Sequence, residues 1–194
     1  MQPPSNPVIR TERLILRPGV ETDVPAIVRF FIENREHLVP WEPDRPAEFY
    51  TEDFWRVQVQ RHRAAFQNGS ALMLFLFVRE DPNRPIGQIS FTNISRGPAE
   101  ACNCGYALAA TAQGNGYMTE ALAAAIDYVF KRLNLHRVQA AFMPNNERSN
   151  AVLRRCGFVV EGYARDYLMI GGRWRDHVLT AIINPEWVAP ERSR

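Results

Sequence analysis

From Met118 the apolar residues recur as Ala121, Leu122, Ala125, Ile126, Val129, Phe130 and Leu133, the spacing of one buried face of a long helix. The run Ala71 to Val78 is apolar throughout, short and bounded by turn residues, and predicts a central strand covered on both faces. Asp81 to Pro85 then turns the chain, Ile86 to Thr92 returns as a second strand, Gly97-Pro98 turns again, and Ala101 to Leu108 forms a third. Upstream, residues 12 to 17 read as a strand ended by Pro18. A helix follows from Thr22 or Asp23, with Pro25 in its first turn and Val24, Ile27, Val28 and Phe31 inside. Thr51 caps a second helix whose Trp55, Val59, His62 and Phe66 share a side, and Asn68-Gly69 stops it. Pro40, Pro43 and Pro46 break any pattern between Leu38 and Tyr50, leaving an irregular loop that carries Trp41 and Glu42 and is expected to touch substrate. After the long helix, Arg137 to Phe142 alternates as a strand, Ser149 to Arg155 is a short helix stopped by Gly157, and two last strands flank Gly171-Gly172. This order predicts an α+β (mixed α/β) fold, a mostly antiparallel sheet of six to seven strands flanked by about four helices.

The length, 194 residues, suits one domain spanning 1–194, with its core over about 10–187 and frayed ends beyond Ile9 and Pro190. Such a chain buries about 70% of its unfolded surface and needs neither disulfide nor metal for stability. With 23 basic and 21 acidic residues the net charge is only +2, which argues against a dedicated nucleic-acid surface. No apolar run approaches the ~20 residues that cross a bilayer, and Met1 to Ser5 has no signal-peptide core, so a cytoplasmic location is expected. Cys102, Cys104 and Cys156 cannot all pair with one another, and Cys102 and Cys104 lack a second ligand pair for a metal. All three are read as packing residues in a reduced compartment.

The candidate chemistry starts just before the long helix, at Gln113-Gly114-Asn115-Gly116-Tyr117-Met118. Glycines let backbone amides approach a pyrophosphate, and a helix N-terminus favours its charge. A strand, a glycine loop and a helix follow one another in the order phosphate sites favour. No Walker lysine follows the glycines, and there is no nucleophile elbow or metal-binding helix.

The loop resembles the Gln/Arg-x-x-Gly-x-Gly/Ala signature with which the GNAT superfamily of acetyl-CoA-dependent N-acetyltransferases holds the pyrophosphate of coenzyme A. Gln113 and Gly116 match, and Met118 departs from it. Thr11-Glu12-Arg13-Leu14-Ile15-Leu16-Arg17 resembles the opening strand of that superfamily. Asn146-Glu147-Arg148-Ser149 with Arg155-Cys156-Gly157-Phe158 resembles its second cofactor motif. Adding His37 to Pro43 and Tyr163 to Leu168, the chain is similar to the RimJ/RimL-type branch that acetylates the N-terminal alanine of ribosomal proteins, over roughly Arg10 to Trp187. The resemblance implies a GNAT fold in which the strand before the loop and the strand after the helix splay apart. Pantetheine would enter the gap and pair with backbone groups of Tyr106, Ala107 and Leu108, while the amides of Gln113, Gly114, Asn115, Gly116, Tyr117 and Met118 would hold the pyrophosphate. It also implies that Asn146 fixes the pantetheine amides, that Ser149 protonates the departing thiolate, and that Asp166 acts as base through water. Ser149 could equally be a helix N-cap, Asn146 a turn residue, and the base Glu42 or Glu161, with Asp166 instead pairing with Arg165.

Acetyl transfer from a thioester needs a neutral amine, a donor for the developing oxyanion and a proton for the thiolate. An α-amine titrates near pH ~8 and costs about 1 kcal/mol to hold neutral, against roughly 4 to 5 for a lysine near ~10.4, so a weak or water-relayed base suffices for a protein N-terminus. Trp41, Glu42, Tyr106, Tyr163 and Tyr167 are candidates for the acceptor channel. His37, His62, His136 and His177 lie in no motif with a nucleophile, and Arg175-Asp176-His177 is read as shaping the last hairpin. The expected activity is acetylation of the N-terminal alanine of a small-subunit ribosomal protein by acetyl-CoA, without a metal, by a monomer or homodimer. The alternatives are acetylation of a small amine such as a polyamine, antibiotic or amino acid, or a non-catalytic acyl-CoA sensor or ribosome-assembly factor.

Overall fold

In the computed structural model, which describes residues 7–189, the apolar run of the chain's first half lies deep inside the sheet. The strands are β1 (Ile9–Arg10), β2 (Leu14–Arg17), β3 (Leu72–Val78), β4 (Asp81–Ser95), β5 (Ala101–Leu108), β6 (Arg137–Phe142), β7 (Val159–Ile170) and β8 (Arg173–Ile183). The helices are α1 (Val24–Glu33), α2 (Arg35–Leu38), α3 (Glu52–Gln67), α4 (Tyr117–Leu133) and α5 (Glu147–Arg155). The eight strands form one sheet in the order β1-β2-β3-β4-β5-β6-β8-β7, antiparallel throughout except for the parallel pair β5 and β6. The architecture is the expected mixed one, with one more strand and one more short helix.

Side-chain alternation decides the layers. Leu72, Leu74 and Leu76 of β3 point to one face and pack with Ile89, Phe91, Cys102, Cys104 and the inner stripe of α4, from Met118 to Val129. Phe75 and Phe77 point to the other and pack with Val24, Ile27, Phe31, Trp55 and Val59 of α1 and α3. All five β3 side chains from Leu72 to Phe77 in these sets are at most 1% exposed, as a strand covered on both faces requires. On the α1/α3 side the Phe31 ring stacks on Trp55 at 4.9 Å, and the Trp55 indole N–H donates to the Phe49 carbonyl at 2.8 Å. This anchors the far end of the proline-broken loop that presents Trp41.

Three boundaries differ from expectation. The first expected strand starts at Leu14 rather than residue 12, because the Leu14 N–H donates to the Thr11 hydroxyl at 2.9 Å, closing a turn that folds an additional short strand back along it, with Ile9 opposite Leu16. The β3–β4 turn is only Arg79-Glu80, and Asp81 to Pro85 belong to β4. That stretch holds Pro82 and Pro85, which donate no ladder hydrogen bond, and the register slips there between Leu76 and Val78. The short helix starts at Glu147 rather than Ser149, because Asn146 takes the capping position.

Candidate active site

The parallel pairing of β5 with β6 runs from Ala101 opposite Arg137 to Cys104 opposite Ala140 and stops there. Beyond it, Gly105 to Leu108 stay paired with β4 alone, while β6 follows β8 as far as Phe142 opposite Val178. The two strands therefore part and leave a slot whose β5 wall has backbone groups without a strand partner. Alternation says which ones. The Ala109 N–H donates to the Ile86 carbonyl at 2.8 Å, so the polar groups of Ala109, Ala107 and Gly105 turn toward β4. The close approach of the Ala107 carbonyl, 2.6 Å from where a Cβ on Gly87 would sit, agrees with this. Tyr106 and Leu108 face the slot with N–H and C=O. Of the three residues expected to pair with a ligand, Ala107 lines the edge with its polar groups already occupied.

At the foot of the slot a 3-10 turn, Ala110–Ala112, leads through Gln113 into Gly114 (φ +80°) and Gly116 (φ +76°). The left-handed conformation at both glycines turns the intervening amides to a common side. Among the described residues no acceptor meets the N–H groups of Gly114, Asn115, Gly116, Tyr117, Met118 or Thr119, and the first α4 bond runs from the Glu120 N–H to the Gly116 carbonyl at 3.1 Å. Six consecutive free donors at a helix N-terminus form an anion cradle. The Met118 side chain is buried in the core, so its amide is what it offers.

Residues that sequence reasoning missed brace this cradle. The Arg13 guanidinium donates to the Asn115 carbonyl at 2.9 Å and to Glu120 Oε2 at 2.7 Å, and lies 4.7 Å from the centre of the Tyr117 ring. Glu120 Oε1 also accepts from the Thr11 hydroxyl at 2.6 Å and the Arg13 N–H at 2.9 Å. Burial alone would raise the Glu120 pKa, but the bonds from Thr11 and Arg13 outweigh it and hold the carboxyl below its ordinary value. The Asn115 side-chain amide closes the loop on the Ala112 and Gln113 carbonyls at 3.3 and 3.1 Å. Gln113 Nε2 lies 2.9 Å from His37 Nε2, which ties the cradle to α2 and the acceptor-side loop.

On the opposite wall, Asn146 Oδ1 accepts the Ser149 N–H at 3.0 Å and caps α5. Ser149 is therefore not the cap, and its hydroxyl is free for the Tyr106 hydroxyl, 2.8 Å away. The Tyr106 O–H also lies 3.2 Å from the Ser149 carbonyl. Burial, first of all, pushes the Tyr106 pKa up, so the phenol stays protonated and able to donate. Its ring belongs to the Ser149 side of the slot.

A cleft of about 590 Å³ opens beside the turn after β6. Val39, Pro40 and Trp41 wall one side, Met143, Pro144 and Asn145 the floor, and Tyr163, Ile170, Gly171, Trp174, Arg175 and Asp176 the other. Of the residues expected on the acceptor side, Trp41 and Tyr163 line this cleft. Glu42 instead pairs with Arg45 at 3.2 Å in a neighbouring hollow, and the Tyr167 ring packs on His177 with centroids 5.5 Å apart. Asp166 sits at φ +48° in a β7 bulge, outside the cleft lining. Its N–H donates to Asp176 Oδ1 at 2.9 Å, and no ion pair joins it to Arg165 among the described residues. Glu161 is held by Arg137 in two hydrogen bonds. The carboxylate in the cleft wall is Asp176, whose Oδ2 accepts the Tyr163 hydroxyl at 2.7 Å. That bond first, then the Asp166 N–H, holds the Asp176 carboxyl below its ordinary value.

Comparison with known proteins matches residues 13–159 to the acetyltransferase (GNAT) domain family. The chain is 41% identical over 179 residues to the [ribosomal protein uS5]-alanine N-acetyltransferase of Escherichia coli (strain K12), covering 92% of each. The solved ribosomal-protein-S5-alanine acetyltransferase from Vibrio fischeri superposes with a TM-score of 0.90 at 37% identity, covering 94% of this chain and 100% of that one. RimJ from Mycobacterium smegmatis, solved in complex with CoA-disulfide, superposes with a TM-score of 0.85 at 31% identity, covering 95% of this chain and 90% of that one.

Proposed function

Since the chain belongs to the acetyltransferase (GNAT) family, we propose that it transfers the acetyl group of acetyl-CoA to the N-terminal α-amine of a ribosomal protein that begins with alanine. The observation that carries the cofactor half is the row of six free amides, Gly114 to Thr119, below a slot opened by the parting of β5 and β6. A pyrophosphate satisfies the amides, and a pantetheine arm satisfies the Tyr106 and Leu108 groups as an added strand would. The acceptor half rests on the relatives named for ribosomal-protein alanine acetylation, which this chain matches over nearly its whole length.

Acetyl-CoA supplies an activated acyl group as a thioester. The chain's own groups then have three tasks. Backbone N–H groups on the free β5 edge are donors for the negative charge that develops on the thioester oxygen. The Ser149 hydroxyl gives its proton to the sulfur as the carbon–sulfur bond breaks, and the Tyr106 hydroxyl 2.8 Å away can replace it. The amine loses one proton to solvent, and Asp166 serves as the water-relayed base. Asn146 holds the start of α5, and with it Ser149, in position.

A small polycationic amine is the second reading. It would call for several carboxylates along the acceptor path, whereas the cleft lining contains Asp176 alone among Asp and Glu. Incubation with acetyl-CoA and synthetic decapeptides copying small-subunit ribosomal N-termini, beside spermidine and free amino acids, decides by mass spectrometry. Acetylation of the alanine-first peptides is expected. Turnover confined to spermidine or an amino acid overturns the acceptor assignment, and no turnover with any amine leaves a sensor or assembly factor.

A further inference from the structure

We infer that Asp176 is the carboxylate that receives the protonated amine of the acceptor, and that acetylation, by removing that charge, releases the product. The inference rests on the reading above that the acceptor is an amine and adds which side chain recognises it. Its basis is position. Phe142 lies opposite Val178, so β8 continues past the end of β6, and Asp176 falls alongside the Met143–Asn145 turn that leads into Asn146 and Ser149.

The carboxylate is presented for binding. An ionised carboxylate has about four acceptor sites. The Tyr163 hydroxyl and the Asp166 N–H occupy one on each oxygen, at 2.7 and 2.9 Å, and among the described residues no Lys, Arg or His forms an ion pair with it. Arg165 and His177 lie near enough to favour the ionised form. Around the carboxylate, the exposed rings of Trp41, Tyr163 and Trp174 line the same cleft. A carboxylate amid aromatic faces is suited to an ammonium, which both attract.

The strand geometry is built around this residue. Ala164 pairs with His177 and Leu168 with Arg175, so three residues of β7 stand opposite Asp176 alone. The bulge puts Asp166 at φ +48°, a conformation unfavourable for a residue with a Cβ, and the bond from its N–H to Asp176 stabilises it. In chemical balance, the free amine arrives as R–NH3+, sheds one proton to solvent, attacks the thioester carbon as R–NH2, and loses the second as the amide forms, through water to Asp166 and from there back to the Ser149 oxygen. Ser149 supplies the thiolate's proton. The product has no cation, so the contact with Asp176 disappears.

The test is Asp176→Asn, whose amide oxygen can still accept the Asp166 N–H while the charge is lost. With an alanine-first hexapeptide, KM should rise about ten- to hundredfold, the range of a charge-assisted hydrogen bond, while KM for acetyl-CoA and the melting temperature stay unchanged. Calorimetry in the presence of CoA gives a readout that a purely structural role would not move. The wild type should bind the free hexapeptide at least tenfold tighter than its N-acetylated form, and Asp176→Asn should bring that ratio to about one. Tyr163→Phe, which keeps the carboxylate, should preserve the ratio. If the wild type acetylates spermidine and not the peptide, the alanine assignment fails, and the same comparison with spermidine and N-acetylspermidine still decides the role of Asp176. An unchanged ratio in Asp176→Asn, or no discrimination by the wild type against either acetylated form, overturns the inference.

Discussion

Substituting Gly116 by alanine tests the anion cradle with a calculable perturbation. Gly116 caps α4 at φ +76° and ψ 1°, and the nearest atom to an added Cβ is Arg13 Nη2 at 3.6 Å, an ordinary contact. Steric overlap therefore contributes nothing, and the cost is the backbone term for a left-handed L-residue, about 1–2 kcal/mol. It can emerge in two ways. If the loop keeps its shape, the folded state is destabilised, and melting drops by about 2–4 °C per kcal/mol for a chain of this size. If the loop relaxes, stability recovers and the binding energy of CoA must restore the shape, which weakens its affinity about 5- to 30-fold. The two losses together should total about 1–2 kcal/mol. Gly116→Asn should lose less than half as much, because asparagine tolerates this region and the chain already uses Asn134 at φ +49° to end the same helix. Scanning calorimetry and isothermal titration with CoA read both terms. An alanine variant unchanged in melting and in affinity, or an asparagine variant worse than alanine, refutes the reasoning.

Ser149→Ala removes the hydroxyl nearest the Tyr106 phenol and should lower kcat about 10²-fold with KM for acetyl-CoA within threefold; steady-state kinetics with unaltered kcat would rule out Ser149 as the proton donor. For Glu120, a folded pKa below the ordinary 4.5 means its stabilisation is present above that pH and is lost as pH falls through the folded value. Glu120→Gln should therefore be about 1 kcal/mol less stable than wild type at pH 7 given the half-exposed Arg13 partner, a melting temperature about 2–4 °C lower, and the two melting temperatures should converge on acidification below 4.5; a gap that is constant or widens in acid contradicts this. Burial pushes the Cys156 thiol up to about 11, Cys102 to about 12, and Cys104 well above its ordinary range. All three should resist maleimide at pH 7.5 in the native protein and react on unfolding, and rapid native labelling of Cys102 or Cys104 would contradict their burial.

Elements with an unbroken periodic signal were legible in the linear order. The α4 stripe, the wholly apolar β3, the Thr51 cap and the Gly171-Gly172 hairpin are all signalled by residues within a few positions of each other, and each stands where the pattern put it. Expectation erred where a long-range contact competes with a local preference. The Thr11 turn that shortens the first expected strand is stabilised by Glu120, more than a hundred positions away, which accepts the Thr11 hydroxyl. The capping choice at α5 went to Asn146 because either Asn146 or Ser149 can fill that role locally, and Tyr106, on a different strand, engages the serine hydroxyl.

The acceptor side was the least legible part for the same reason in sharper form. Counting outward from Gly171-Gly172, a regular hairpin sets Ile170 opposite Arg173 and Leu168 opposite Arg175, and would go on to set Tyr167 opposite Asp176. The observed bulge inserts Arg165, Asp166 and Tyr167 against the one residue Asp176, which brings Tyr163 opposite Val178 and its hydroxyl within reach of the carboxylate. Period-2 patterning cannot reveal such an insertion, because β7 is an edge strand whose residues from Val159 to Met169 are exposed or half-exposed on both faces. With no buried face there is no alternation to break. The register is then set by polar bonds, the Asp166 N–H and the Tyr163 hydroxyl on the Asp176 carboxylate, whose partners are invisible until the strands are laid side by side. Removing the acceptor oxygen, as in Asp176→Ala, should therefore release the bulge as well as the charge, and hydrogen exchange at the Asp166 amide should rise sharply in that variant while remaining protected in Asp176→Asn. Equal exchange in the two variants would mean that steric packing, rather than this carboxylate, sets the register of the last hairpin.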